Sequence, residues 1–431
     1  MKAKKSKMPP TSSAQQKTTL NKLLDSSLIL AIFVAPISVI LNNIFGGGYI
    51  YWAALPDFLI SICFVFALIL KLKAGGLKAL FQSKLDVLVW AYLALSLIYL
   101  LVGILAQNSF LSLGQGFLSA ARFAIVYLSF RLANFKLSDF AQKKAAKTIL
   151  IVILVFGLIQ FIYPDALSLM GYGSSPIKPN PTVDGTDLVR MQSFLRGPNP
   201  YGAFLLIPFS LILFKFKDFK NKRLAASLLT LISLNLILTW SRSAWLGAVL
   251  ILGFFILTKL KLNKKMIIST LIVGLVLALT LSLVARTDSF KTVFLHDKPG
   301  EGGAVTSDQD RVKSYKNALI LVAEHPLGLG LNGAGPASVR SDSGANIVEN
   351  YFLQIFLQLG WAGGILLITI SALSLIKLVG LKSDLSLGLA ASGLALSLIG
   401  LMQPVWADVS VVFLWWSLLA ICSAKNKNVV I

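Results

Sequence analysis

The chain has 431 residues, 56% of them hydrophobic and 13% charged, whereas ordinary soluble domains are about 45–50% apolar and about 25% charged. That balance excludes a soluble enzyme, a disordered chain and a fibrous protein. Forty Lys and Arg against 18 Asp and Glu give a net charge of +22; in a soluble chain this would point to nucleic acid, but here the apolar content points to a polytopic membrane protein whose charge must be explained by where it sits.

A bilayer crossing needs about 17–25 apolar residues. Twelve runs qualify in chain order, at roughly 26–42, 54–70, 86–106, 110–130, 148–163, 201–215, 223–239, 242–258, 266–284, 350–376, 385–402 and 407–423. The expected fold is therefore all-α and polytopic, with about twelve transmembrane helices. A basic tail (1–24) precedes a single transmembrane domain (25–431). The first run follows that polar tail without a small-residue cleavage site, so it reads as a span rather than a signal peptide. Cys63 and Cys422 both lie in apolar runs, which leaves no disulfide framework and no cysteine metal site to read.

Lys and Arg orient such a chain, because they accumulate in loops that stay in the cytoplasm. Alternate loops hold 28 basic residues on one side and 11 on the other, with Arg122 inside a span. Both termini are then cytoplasmic. The loops 164–200 and 285–349 face outward, and both exceed the length of mere connectors. In the second, Gln309–Glu324 carries Val312, Tyr315, Ala318, Leu319 and Val322 at helical spacing, the pattern of an amphipathic helix lying at the membrane surface. Arg122 falls near mid-membrane, where a guanidinium must face the interior; an anionic ligand, a carboxylate such as Asp57 or backbone carbonyls could each meet it.

Four polar clusters gather on the outward side. Arg196-Gly-Pro-Asn-Pro-Tyr-Gly202 enters a span: it reads as a Pro/Gly turn around Asn199, or as a turn whose Arg196 clamps an anion. Thr239-Trp-Ser-Arg-Ser-Ala-Trp245 is the tip of a tight hairpin, with Arg242 between Ser241 and Ser243. Trp and Arg anchor at interfaces, yet basic residues are scarce in short outward loops, so Arg242 points to function. His325-Pro-Leu-Gly-Leu-Gly-Leu-Asn-Gly333 contains G-x-G-x-x-G, but without a βαβ unit it is a turn and not a dinucleotide fingerprint. Glu349-Asn-Tyr351 opens the tenth span, either as a helix cap or with Glu349 as a general base. No spacing of His, Cys or Glu suggests a metal site, and no cofactor is expected.

Together, in this order on a twelve-span chain, these clusters resemble the O-antigen ligase / O-antigen polymerase family of bacterial envelope glycosyltransferases. The resemblance rests on the Asn-Pro entry at 196–202, the Ser-Arg-Ser tip at 241–243, His325-Pro-x-Gly-x-Gly, and Asn-Tyr-x-Leu-Gln…Leu-Gly-x-x-Gly at 350–363. It implies a GT-C-like helical fold and metal-independent, inverting transfer of a polyprenyl-diphosphate-linked glycan to a glycan, lipid or protein acceptor at the outer face of the cytoplasmic membrane. Arg196 and Arg242 would hold the diphosphate, with Arg122, Asn199, Ser241, Ser243, His325, Asn350 and Tyr351 lining the substrate. Ligases of the family carry His just before the Asn that opens this span; here Glu349 stands there, which favours a polymerase. The rival classes are a lipid-linked oligosaccharide transporter, which would be expected to show more mid-membrane polar groups and two similar halves, and a non-catalytic scaffold, which would tolerate loss of both arginines.

Overall fold

The computed structural model describes residues 12–45, 52–135, 140–170, 181–183, 188–259, 307–340 and 346–424. Over these residues the helices are α1 (Ser12–Val34), α2 (Ser38–Phe45), α3 (Leu55–Gly75), α4 (Lys84–Leu105), α5 (Phe110–Ala133), α6 (Phe140–Ile162), α7 (Pro198–Phe214), α8 (Lys222–Leu238), α9 (Arg242–Lys259), α10 (Ser307–Glu324), α11 (Tyr351–Gly380), α12 (Asp384–Gly400) and α13 (Val409–Ala424). No strand occurs among the described residues, only one isolated bridge between Thr182 and Val189. Seven stretches are long and apolar enough to cross a membrane: Thr19–Phe45, α3, α4, α5, Lys144–Ile162 of α6, α9 and α11. The shorter α7, α8, α12 and α13 fall on four more of the predicted runs. The predicted span 266–284 lies outside the described residues. The first helix starts at Ser12, well ahead of the apolar run at 26.

α5 is the least apolar of the seven spans and the most buried. It carries Ser112, Arg122, Ser129 and Arg131, all buried, and these groups must face protein because hydrocarbon cannot solvate them. α3 and α4 are more apolar and mostly outside the core; Phe58, Ile62, Val65 and Ile98 point outward. α7 is apolar all round and sits in the core. It packs against α12, whose Gly388, Ala391, Ser392 and Ala395 are all buried; small residues let backbones approach where no hydrophobic force drives helices together.

Helix ends follow the local sequence. Ser83, Asn221, Ser383 and Asn350 are N-caps, their side-chain oxygens accepting from Asp86, Leu224, Ser386 and Leu353 N–H groups. α11 is interrupted at Gly360, which has φ +66°. The break releases two backbone groups, and the turn after α10 takes both. Leu329 N–H donates to Leu357 C=O (2.6 Å), and Trp361 N–H donates to Pro326 C=O (2.9 Å). Gly328, at φ +77°, approaches so closely that a Cβ there would lie 2.5 Å from Gly360 N. The G-x-G-x-x-G stretch is thus a turn docked on a broken helix.

Gly328→Ala and Gly360→Ala should each cost more than the roughly 1–2 kcal/mol of left-handed backbone alone, because the added methyl meets backbone that cannot move aside. Gly253→Ala in α9, where a Cβ meets open space, should be neutral or stabilising. Melting temperatures of the three purified variants give the comparison.

Candidate functional site

Two of the four clusters meet around the start of α7. Pro198 and Pro200 occupy the first helical turn, where a missing N–H costs nothing. Gly202 then lets the α8–α9 tip lie against α7: a Cβ there would fall 2.6 Å from Ala244 Cβ. Arg190 staples the two, its Nε donating to Thr239 C=O (3.1 Å) and its Nη2 to Asn199 Oδ1 (2.8 Å). The tip reverses through Trp240, at φ +51°, whose ring lies 5.9 Å from that of Trp245. Ser241 and Ser243 are buried and share a hydrogen bond of 3.2 Å. Arg242 is half-buried on this tip, and Arg196 is exposed one residue ahead of α7's Gly197 cap.

The other two clusters meet at Gly360 and again at Gln358. Gln358 Nε2 donates to Leu331 C=O (2.9 Å) and Ala334 C=O (3.0 Å), pinning the turn onto α11. Ser112 Oγ donates to Ala337 C=O (3.0 Å), tying the same segment to α5. Asn350 caps α11. Tyr351 is buried and donates to Ser119 C=O (3.2 Å). Glu349 is half-buried just outside the helix. His325 ends α10 exposed; its C=O accepts Gly328 N–H (2.8 Å), closing the turn. In α10 itself Ala318 and Val322 are buried against α11, while Val312, Tyr315 and Leu319 of the predicted stripe are exposed.

The segment between α12 and α13 joins the two halves. Gln403 Nε2 donates to Ser243 Oγ (3.1 Å), and a Cβ at Gly400 would meet both Phe352 and Trp406. Arg122 reaches the same segment. Its Nε and Nη2 donate to the two oxygens of Asp57 (2.6 and 2.9 Å), and its Nη1 donates to Ala407 C=O (2.6 Å). Of the three partners the sequence left open, Arg122 uses the carboxylate and a carbonyl. Asp408, the next residue, caps α13 by accepting Ser410 and Val411 N–H groups (2.9 and 3.2 Å).

Sequence reasoning missed Arg190, Gln358 and Asp408. Arg190 was one of three basic residues in a long loop, and nothing local sets it apart. Asp408 was legible as an N-cap, since it stands directly ahead of an apolar run.

The bundle, with buried ion pairs inside and seven stretches long and apolar enough to cross a membrane among the described residues, defines a multi-pass helical membrane protein. Residues 202–368 match the family model described as O-antigen ligase, which supports the O-antigen ligase/polymerase family for this chain. The match supports glycan transfer of that general type, and with it a lipid-linked donor and a glycan acceptor at a membrane. It covers Arg242, His325 and Glu349; Arg196 and Asn199 lie just ahead of it. No curated protein matches the chain.

Two outcomes follow from these contacts. Removing Asp57 alone (Asp57→Asn) strands a buried guanidinium and should cost about 3–5 kcal/mol; the Asp57→Leu/Arg122→Met double variant should recover most of that in thermal melts. Asp408→Asn keeps a good cap and should melt close to wild type, whereas Asp408→Ala should lose about 0.5–2 kcal/mol of capping.

Proposed function

We propose that the protein is a glycosyltransferase that polymerises a polyprenyl-diphosphate-linked glycan, with inversion and without a metal, on the outer face of the cytoplasmic membrane. The excess of basic residues in alternate loops supports that orientation, with both termini inside. The observation that supports the reading is the packing of the two segments that carry Arg196 and Arg242, held against each other at Gly202 and by the Arg190 staple.

The chemistry follows from the donor. A sugar on a diphosphate already has a good leaving group, so no nucleotide is needed. The acceptor hydroxyl attacks the anomeric carbon from the face opposite the diphosphate. Its proton passes to Glu349, the carbon–oxygen bond to the diphosphate breaks, and the electron pair leaves with the phosphate oxygen. Negative charge on the diphosphate grows along this path. Arginine matches phosphate oxygens bidentately and stays protonated, so Arg196 and Arg242 stabilise the transition state more than the bound donor. Arg122 supports the site indirectly: three of its five N–H donors are held by Asp57 and Ala407, and it positions the segment bearing Asp408. Glu349 at the place where ligases of the family carry His supports polymerase over ligase.

In vesicles supplied with a lipid-diphosphate glycan and no ion gradient, wild-type protein should form polymer, which a transporter would not. Arg242→Ala should lower the rate by about 10²–10³ with membrane insertion intact. Glu349→Gln should lower it by about 10²–10⁴ if the carboxylate is the base; a residue that only supports the helix end would tolerate Gln, and wild-type rates in either variant remove that residue from the mechanism.

A further inference from the structure

Helices α1, α6, α7, α8 and α13 enclose a cavity of about 770 Å³, inside the roughly 300–1,000 Å³ range of pockets that hold small ligands. It runs lengthwise along the bundle. One end lies by Phe204 and Ser410, near the starts of α7 and α13 and so toward the arginines. The other end lies by Lys144 and Lys147 at the start of α6 and Lys220 ahead of α8. The wall between is hydrocarbon apart from Ser417, including Ile153, Leu224, Leu228 and Leu414, and no acidic side chain is among its described lining residues. Pro208 in α7 has no N–H for the Phe204 carbonyl, so α7 lacks one helical bond where it crosses the wall.

A long apolar slot with cationic groups at one end matches a molecule that is a hydrocarbon chain with one anionic end. We propose that the cavity binds an anionic phospholipid from the leaflet on the lysine side, with an acyl chain between α6, α7 and α13 and the phosphate against Lys144, Lys147 and Lys220. Basic pockets between membrane helices hold anionic headgroups in this way. The position of the charge chooses the occupant. A donor lipid held by its diphosphate at Arg196 and Arg242 would carry its charge at the opposite end and would set three lysines against hydrocarbon. The site is independent of the transferase reading and stands or falls without it.

The test uses the full-length protein, delipidated in detergent and offered equal phosphatidylglycerol and phosphatidylcholine, with bound lipid read by native mass spectrometry. Wild type should retain phosphatidylglycerol at least about tenfold over phosphatidylcholine. The triple variant Lys144→Gln/Lys147→Gln/Lys220→Gln should lose that preference, the corresponding triple Lys→Arg variant should keep it, and Leu224→Trp should reduce the amount of phosphatidylglycerol retained. Melting temperatures check that each variant is folded. Equal retention of the two lipids by wild type overturns the proposal. So does an undiminished preference in the Lys→Gln variant, or displacement of the bound phospholipid by undecaprenyl phosphate that is unaffected by the lysine changes, which would give the cavity to the donor's tail.

Discussion

A guanidinium buried in a membrane bundle must be satisfied on every side, and Arg122 shows what that demands. Hydrocarbon offers no partner, so an unpaired charge there costs several kcal/mol. The solution ties three parts of the chain to one side chain: α5 supplies Arg122, α3 supplies Asp57, and the segment between α12 and α13 supplies the Ala407 carbonyl. That segment then has a defined position, and it carries Gln403 to the Ser241–Ser243 tip and Asp408 to the start of α13. The site is assembled around this segment, so its geometry depends on an ion pair that never reaches the surface.

The same logic operates without charge at Gly360. A broken helix exposes a carbonyl and an N–H inside a membrane, and each needs a partner. The turn after α10 supplies both, and the close approach is available only because Gly328 and Gly360 lack side chains. A helix break that would be a defect alone becomes the docking point for the long loop, and Gln358, two residues before the break, adds two more bonds to it.

Much of this was legible in the sequence and some was not, for physical reasons. The helices could be read because a membrane imposes length and hydropathy on each segment separately. Eleven of the twelve predicted runs fall on helices over the described residues. The four clusters could be read because polar groups are costly in that setting and so stand out. What joins them could not. Arg190 bonding Thr239, Arg122 choosing Asp57, and Gln403 meeting Ser243 are contacts across tens to hundreds of residues, invisible to local pattern. The roles of Asn350 and Tyr351 turned on the same information. One caps its own helix and the other points inward to Ser119, and only the packing of α11 on α5 settles which way a side chain faces.

The arginines of this chain fall into two kinds, and the difference bears on what each can do. Arg131 is closed: Asp86 takes its fork, and Tyr127 donates to the same carboxylate. Buried pairs of this kind hold a fold in register and leave nothing for a ligand. Arg196 is exposed and Arg242 is half-buried, at the end of the bundle where the chain otherwise carries few basic residues. On the proposed reading, a donor diphosphate bound there displaces water and lowers the local dielectric, so its attraction to these guanidiniums strengthens as the site fills.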